Sequence, residues 1–172
     1  MPALLLRTRA ARPDEGSYVA YVGRIGAEKG ISTLLEAARL SRLPVRIAGQ
    51  RDGTILPGPG ADNVTFVGHL RRADIAEFLK GARYVVIPSI CADVAPLAVL
   101  EAMATGLPVV ASRIGGLPEM IPEALADSMA DLWRDAPRLR AMGAAAREHV
   151  RFHHSEEAYY GRPMEIYSSL AA

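Results

Sequence analysis

Two acids, Asp93 and Glu101, stand eight positions apart in the stretch Asp93-Val-Ala-Pro-Leu-Ala-Val-Leu-Glu101. Glu101 is the only charged residue between Val94 and Ser112. An isolated carboxylate is heavily penalised in an apolar interior. Glu101 must therefore either find a partner in the fold or face a cleft where a ligand's hydroxyls can donate to it. Near the start of the chain, Gly23-Arg24 and Lys29-Gly30 place two cations in a glycine-rich loop. Arginine holds a phosphate through two parallel N–H donors, and lysine acts as a mobile point charge. Two cations for a diphosphate and two acids for sugar hydroxyls are what a nucleotide sugar requires.

Each motif also has a plainer reading. The Gly23–Gly30 stretch is compatible with a solvated strand-to-helix loop, and Asp93 with a helix-capping acid. Glu101 is compatible with a buried acid paired to an amide or an arginine. His149, His153 and His154 share a helix end without any carboxylate or cysteine pattern, so no metal site is expected there. Gly115-Gly116 lies in a strand-end loop, and Gly58-Pro-Gly60 reads as an ordinary turn.

The elements that must position these residues follow from apolar periodicity. Strands are expected at Tyr18–Val22, Pro44–Ala48, Val64–Val67, Tyr84–Pro88 and Pro108–Ala111. Helices are expected from about Ser32 to Leu40, from Ala73 to Lys80 (with Gly81 as terminator) and from Pro96 until Gly106 closes it. Further helices are expected over Glu123–Trp133, Pro137–Val150 and from Ser155 onward, broken at Gly161-Arg-Pro163. The near-continuous apolar strands alternating with helices predict an α/β fold, a doubly wound parallel sheet covered on both faces. In such sheets ligands bind beyond the carboxyl ends of the strands. Arg24, Asp93 and Gly115-Gly116 each follow a strand end, so they converge on one crevice.

The 172 residues fit one domain, half of them hydrophobic and 23% charged. Residues 1–16 read as an arm or linker, 17–152 as the nucleotide-sugar-binding domain and 153–172 as a C-terminal helical segment. The formal net charge of +1 gives no case for a nucleic-acid partner. Cys91 is the only cysteine, which excludes a disulfide framework and a cysteine-based zinc site. The N-terminal apolar patch precedes its arginines, the wrong order for a secretory signal. The apolar run from Val94 to Ser112 is broken by Glu101, Gly106 and two prolines, so no membrane span is expected. A cytoplasmic protein is expected.

Taken together, these motifs resemble the C-terminal, donor-binding domain of the GT-B retaining glycosyltransferases of family 4. The resemblance rests on Tyr21-Val-Gly-Arg-Ile-Gly-Ala-Glu-Lys-Gly30, Val45-Arg-Ile-Ala-Gly49, Val64-Thr-Phe-Val-Gly68 and Val86-Ile-Pro-Ser89. It continues through Ala95-Pro-Leu-Ala-Val-Leu-Glu-Ala-Met-Ala-Thr-Gly-Leu-Pro-Val-Val-Ala-Ser112 and Gly115-Gly-Leu-Pro-Glu119. It implies a Rossmann-like fold and a donor site without a metal. Gly23, Arg24 and Lys29 would meet the diphosphate, and Glu101 would hold the ribose. Asp93 would touch the donor hexose, and Val94, Ala95, Pro96 and Leu97 would offer backbone to sugar and phosphate. Gly68 and His69 would contact the base.

The chain departs from the family pattern in three places. Asp93 stands where the family has glutamate, one methylene longer. Pro122 follows Ile121 without the family's intervening turn and short strand. The acceptor-binding half that precedes this domain in the family does not appear in the sequence. The resemblance therefore implies transfer from an NDP-sugar only with a separate acceptor-binding domain or chain, and exposed apolar surface that favours self-association. The rival expectation is a non-catalytic nucleotide-binding or protein-interaction module.

Overall fold

In the computed structural model the described residues are 6, 8–51, 61–91, 97–112 and 122–155. Five strands form one wholly parallel sheet: β1 (Tyr18–Val22), β2 (Val45–Ala48), β3 (Val64–Gly68), β4 (Ala82–Ile87) and β5 (Val109–Ala111). Their order across the sheet is β3-β2-β1-β4-β5. The helices whose bounds fall among the described residues are α1 (Ile31–Ser41), α2 (Arg72–Lys80), α3 (Leu97–Thr105), α4 (Pro122–Arg134) and α5 (Ala136–His153).

The period-two alternation of the strands sorts their side chains between two faces. Val19, Tyr21, Val45, Ile47, Tyr84 and Val86 are buried on one face with Leu34 of α1 and Leu125 and Met129 of α4. Tyr18, Ala20, Val85 and Ile87 are buried on the other with Leu79 of α2 and Ala102 of α3. The doubly wound, parallel architecture expected from the sequence is the one observed.

The chain runs outward from β1 through β2 to β3, then returns to place β4 on the other side of β1. The order reverses between β1 and β4, and a crevice opens beyond the carboxyl ends of strands at such a point. The segments after β1 and β4 therefore flank the crevice mouth.

Element ends differ from expectation in local ways. β4 begins at Ala82, two residues early, because Gly81 ends α2 and Tyr18 pairs directly with Ala82. The loop after β1 contains a single 3-10 turn, Ala27–Lys29, which apolar periodicity does not reveal. α5 runs on to His153, capped at its start by Asp135, whose carboxylate accepts from the backbone N–H of Arg138 at 2.9 Å. Ser155 lies in a bend, and the rest of the helix expected from there, like the Gly115-Gly116 loop, lies outside the described residues.

The residues before β1 are strapped to the domain by arginines. The Arg147 guanidinium donates to the carbonyls of Leu6, Thr8 and Ala104 at 2.7–2.8 Å. Arg140 pairs with Asp14 at 2.8 Å. Arg83 donates to the Asp14 and Trp133 carbonyls, with its guanidinium over the Trp133 ring. Because Ala104 lies in the last turn of α3, the same strap anchors the helix that carries Glu101.

Candidate functional site

The loop after β1 is held open by backbone bonds that prolong the β1–β2 pairing. Gly23 N–H donates to Ala48 O at 3.0 Å, and Ile25 N–H to Gln50 O at 2.9 Å. Between them the Arg24 carbonyl accepts from the buried Tyr21 hydroxyl at 2.6 Å. Arg24 therefore leaves the sheet from a backbone fixed on both sides, its side chain 62% exposed.

The 3-10 turn presents Lys29, whose Nζ lies 3.8 Å from Cys91 Sγ. Gly30 adopts a left-handed conformation, φ 68°, between that turn and α1. A Cβ at Gly30 would lie 1.8 Å from the Pro88 carbonyl oxygen, so only glycine lets the loop rest on the end of β4. The Ile90 N–H donates to Glu28 O at 3.1 Å and closes the same junction.

Two hollows meet at this loop. One, of about 330 Å³, lies between the β1 loop and the start of α3, with Gly23, Arg24, Lys29, Ser89, Leu97 and Ala98 in its wall. The other, of about 220 Å³, lies over the ends of β1, β2 and β3, with Gly23, Arg24, Gln50, His69, Leu70 and Ile75 in its wall. Gly23 and Arg24 belong to both. Gly68, at φ 78°, turns the chain out of β3 and delivers His69 to the second hollow.

The structure thus brings Gly23, Arg24, Lys29 and Leu97 to one cleft and joins His69 to it across Gly23 and Arg24. Glu101 is half-buried and lies in neither wall, but it sits four residues beyond Leu97 on α3, on the same side of the helix. Its carbonyl accepts from the Thr105 hydroxyl at 2.8 Å. Asp93, Val94, Ala95 and Pro96 lie outside the described residues.

Of the other wall residues, Tyr21 and Ser89 carry a sequence signal only as members of the family motifs, and Gln50, Leu70 and Ile75 carry none. Ser89 is 3% exposed at the end of β4. The His149 ring lies tilted against those of His153 and His154 at centroid distances of 4.6 and 5.8 Å on an exposed helix end. Among the described residues no cluster of three His, Cys, Asp or Glu side chains could hold a metal ion. No helix among them is long and apolar enough to cross a membrane.

A parallel sheet with its order reversed at β1/β4, and a glycine-rich, cation-bearing loop after β1, define a Rossmann-like domain. The family model for glycosyl transferases group 1 matches residues 5–149, and the chain belongs to that family. It is 34% identical over 173 residues to the D-inositol 3-phosphate glycosyltransferase of Mycobacterium avium (strain 104), covering 83% of this chain and 41% of that protein. The Segniliparus rotundus protein of the same name is 33% identical over 174 residues, with 82% and 38% covered. The chain therefore spans about two-fifths of the length of these curated relatives.

Among solved structures, sucrose-phosphate synthase from Thermosynechococcus elongatus superposes with a TM-score of 0.75 at 28% identity. That match covers 92% of this chain and 46% of the other. Anabaena HepE, solved in complex with UDP and glucose, superposes with a TM-score of 0.72 at 19% identity, covering 90% and 49%.

Proposed function

We propose that this domain binds the nucleoside-diphosphate-sugar donor of a retaining glycosyltransferase. The observation that carries the reading is the junction of two hollows at Gly23 and Arg24, beyond the carboxyl ends of the parallel strands. The smaller hollow, floored by β-strand ends and edged by Leu70, Ile75 and His69, suits a flat base. The larger suits a diphosphate and sugar, with Arg24 and Lys29 to meet the phosphates. Glu101 and Asp93 are assigned the ribose and hexose hydroxyls, and the backbone of Val94, Ala95, Pro96 and Leu97 the remaining contacts. The relatives named for inositol-phosphate glycosyl transfer and the HepE complex with UDP support this choice of ligand.

The chemistry assigned to the chain's own residues is stabilisation of the leaving group. As the sugar–oxygen bond breaks, negative charge grows on the departing diphosphate, and cations already in place favour that state over the intact donor. Arg24 and Lys29 would neutralise this charge with no metal required. Ile90 is 70% and Leu97 58% exposed at the cleft mouth. That apolar surface supports closure by an acceptor-binding domain or a second chain, without which no transfer is expected.

Calorimetric titration with UDP, GDP and ADP tests the reading, with Glu101→Ala as the control. The expected result is binding of one nucleotide that falls about tenfold or more in the variant, the scale of a lost hydrogen bond to a charged group. No heat with any of the three would overturn it.

A further inference from the structure

The loop assigned to the diphosphate also contains a carboxylate. Oε1 of Glu28 lies 2.9 Å from Nη2 of Arg24, and the two side chains are 39% and 62% exposed. That oxygen is buried and takes no hydrogen bond, so the pair is held by charge without a well-aligned N–H···O contact.

The placement is specified by the surrounding backbone. A Cβ at Gly26 would come within 2.5 and 2.9 Å of the two Glu28 carboxylate oxygens, so glycine leaves the space that the acid fills. The Glu28 carbonyl accepts from Ile90 N–H, which ties the residue to the segment after β4. Glu28 is thus tied by its backbone to the segment after β4 and by its side chain to Arg24.

A fixed negative charge beside an anion site needs a physical reason. Two cations alone would hold a nucleoside diphosphate tightly before and after the sugar has left. A carboxylate in contact with one of them lowers the local positive potential and opposes the incoming phosphates. A polar atom left without a hydrogen bond is destabilised, so this contact is one that a phosphate oxygen can readily replace.

We propose that Glu28 is a built-in counter-ion: it occupies Arg24 in the empty site, yields it to the diphosphate, and lowers the affinity for that group so that the spent nucleotide leaves. The proposal rests on the donor-site reading above. It has the opposite sign to a purely supportive role, in which Glu28 would hold Arg24 in the binding pose and its removal would weaken binding.

The test is calorimetry on the 172-residue chain and its Glu28→Gln variant, with UDP, GDP, ADP and the three parent nucleosides, at low and high salt. Gln keeps the shape and removes the charge. For the nucleotide that wild type binds, the variant is expected to bind about three- to tenfold tighter at low salt. The gain should shrink at high salt, where exposed charges are screened, and be absent for the nucleoside.

Gly26→Ala supplies an independent arm. The nearest atoms to its methyl group are the carboxylate atoms at the far end of the Glu28 side chain, so it displaces the carboxylate and should tighten diphosphate binding in the same sense. Equal or weaker diphosphate binding by both variants overturns the counter-ion role and leaves the donor site standing. A wild-type chain and variants that bind none of the three diphosphates overturn both.

Discussion

Lys29 and Cys91 face each other across the crevice, with Nζ 3.8 Å from Sγ, so the loop after β1 and the chain after β4 meet at one point. Cys91 is also the only cysteine, which makes its thiol a built-in reporter of this junction. A nucleoside diphosphate drawn to Lys29 should cover it. Alkylation by iodoacetamide, followed by mass spectrometry, is expected to slow several-fold with saturating nucleotide. Lys29→Met should lose that protection. Unchanged alkylation in the wild type would place the nucleotide elsewhere.

Gly30 fixes where Lys29 stands. Its φ of 68° disfavours a side chain, and a Cβ there would come within 1.8 Å of Pro88 O. Gly30→Ala is expected to lower the unfolding free energy by about 2 kcal/mol or more, because the clash is with backbone that cannot swing away. Urea unfolding measures this. Nucleotide affinity should fall with it, since the lysine must move.

The Arg147 strap links residues before β1 to the end of α3. Arg147→Met leaves the carbonyls of Leu6, Thr8 and Ala104 without their charged donor. A loss of about 2 kcal/mol is expected, a fall in Tm of roughly 4–8 °C for a domain of this size. Scanning calorimetry reads it. An unchanged Tm would mean that water replaces the guanidinium at little cost.

Tyr84 sets an alkaline limit on stability. Its hydroxyl donates to Met129 O at 2.7 Å, and burial pushes its pKa well above the ordinary phenol value. The folded state therefore keeps the neutral form that the unfolded chain gives up near pH ~10. This contribution is complete below that pH and is lost as pH rises toward the folded-state value. Tyr84→Phe should be about 1 kcal/mol less stable at pH ~7 and show a shallower decline above pH ~10.

Much of the fold could be read from apolar runs and their punctuation. Val19 to Val22 and Val85 to Ile87 are short, β-branched and apolar runs that read as covered strands, and Gly81 and Gly106 mark the ends of helices α2 and α3. The cations at 24 and 29 could be singled out because glycine surrounds them. The smaller hollow could not, since Gln50, Leu70 and Ile75 are ordinary residues from three separate segments, gathered only by the β3-β2-β1 order. The contact of Glu28 with Arg24 was equally hidden, because an acid four residues from an arginine in a loop reads as solvated surface. Arg83 and Arg147 act on backbone carbonyls, which leave no periodic trace in a sequence.

The central claim is that one nucleoside diphosphate lies across Gly23 and Arg24, with its base toward His69 and its phosphates toward Lys29. The most direct measurement is amide chemical-shift mapping by NMR while UDP, GDP and ADP are titrated in turn. The account predicts that one of them shifts the amides of Gly23, Arg24, Lys29, Gly68, His69 and Leu97 together and leaves the strapped segment near Asp14 unchanged. Shifts gathered around Arg9, Arg12 and Lys80, which line a separate hollow, would contradict it. So would a titration with all three that moves none of the crevice amides.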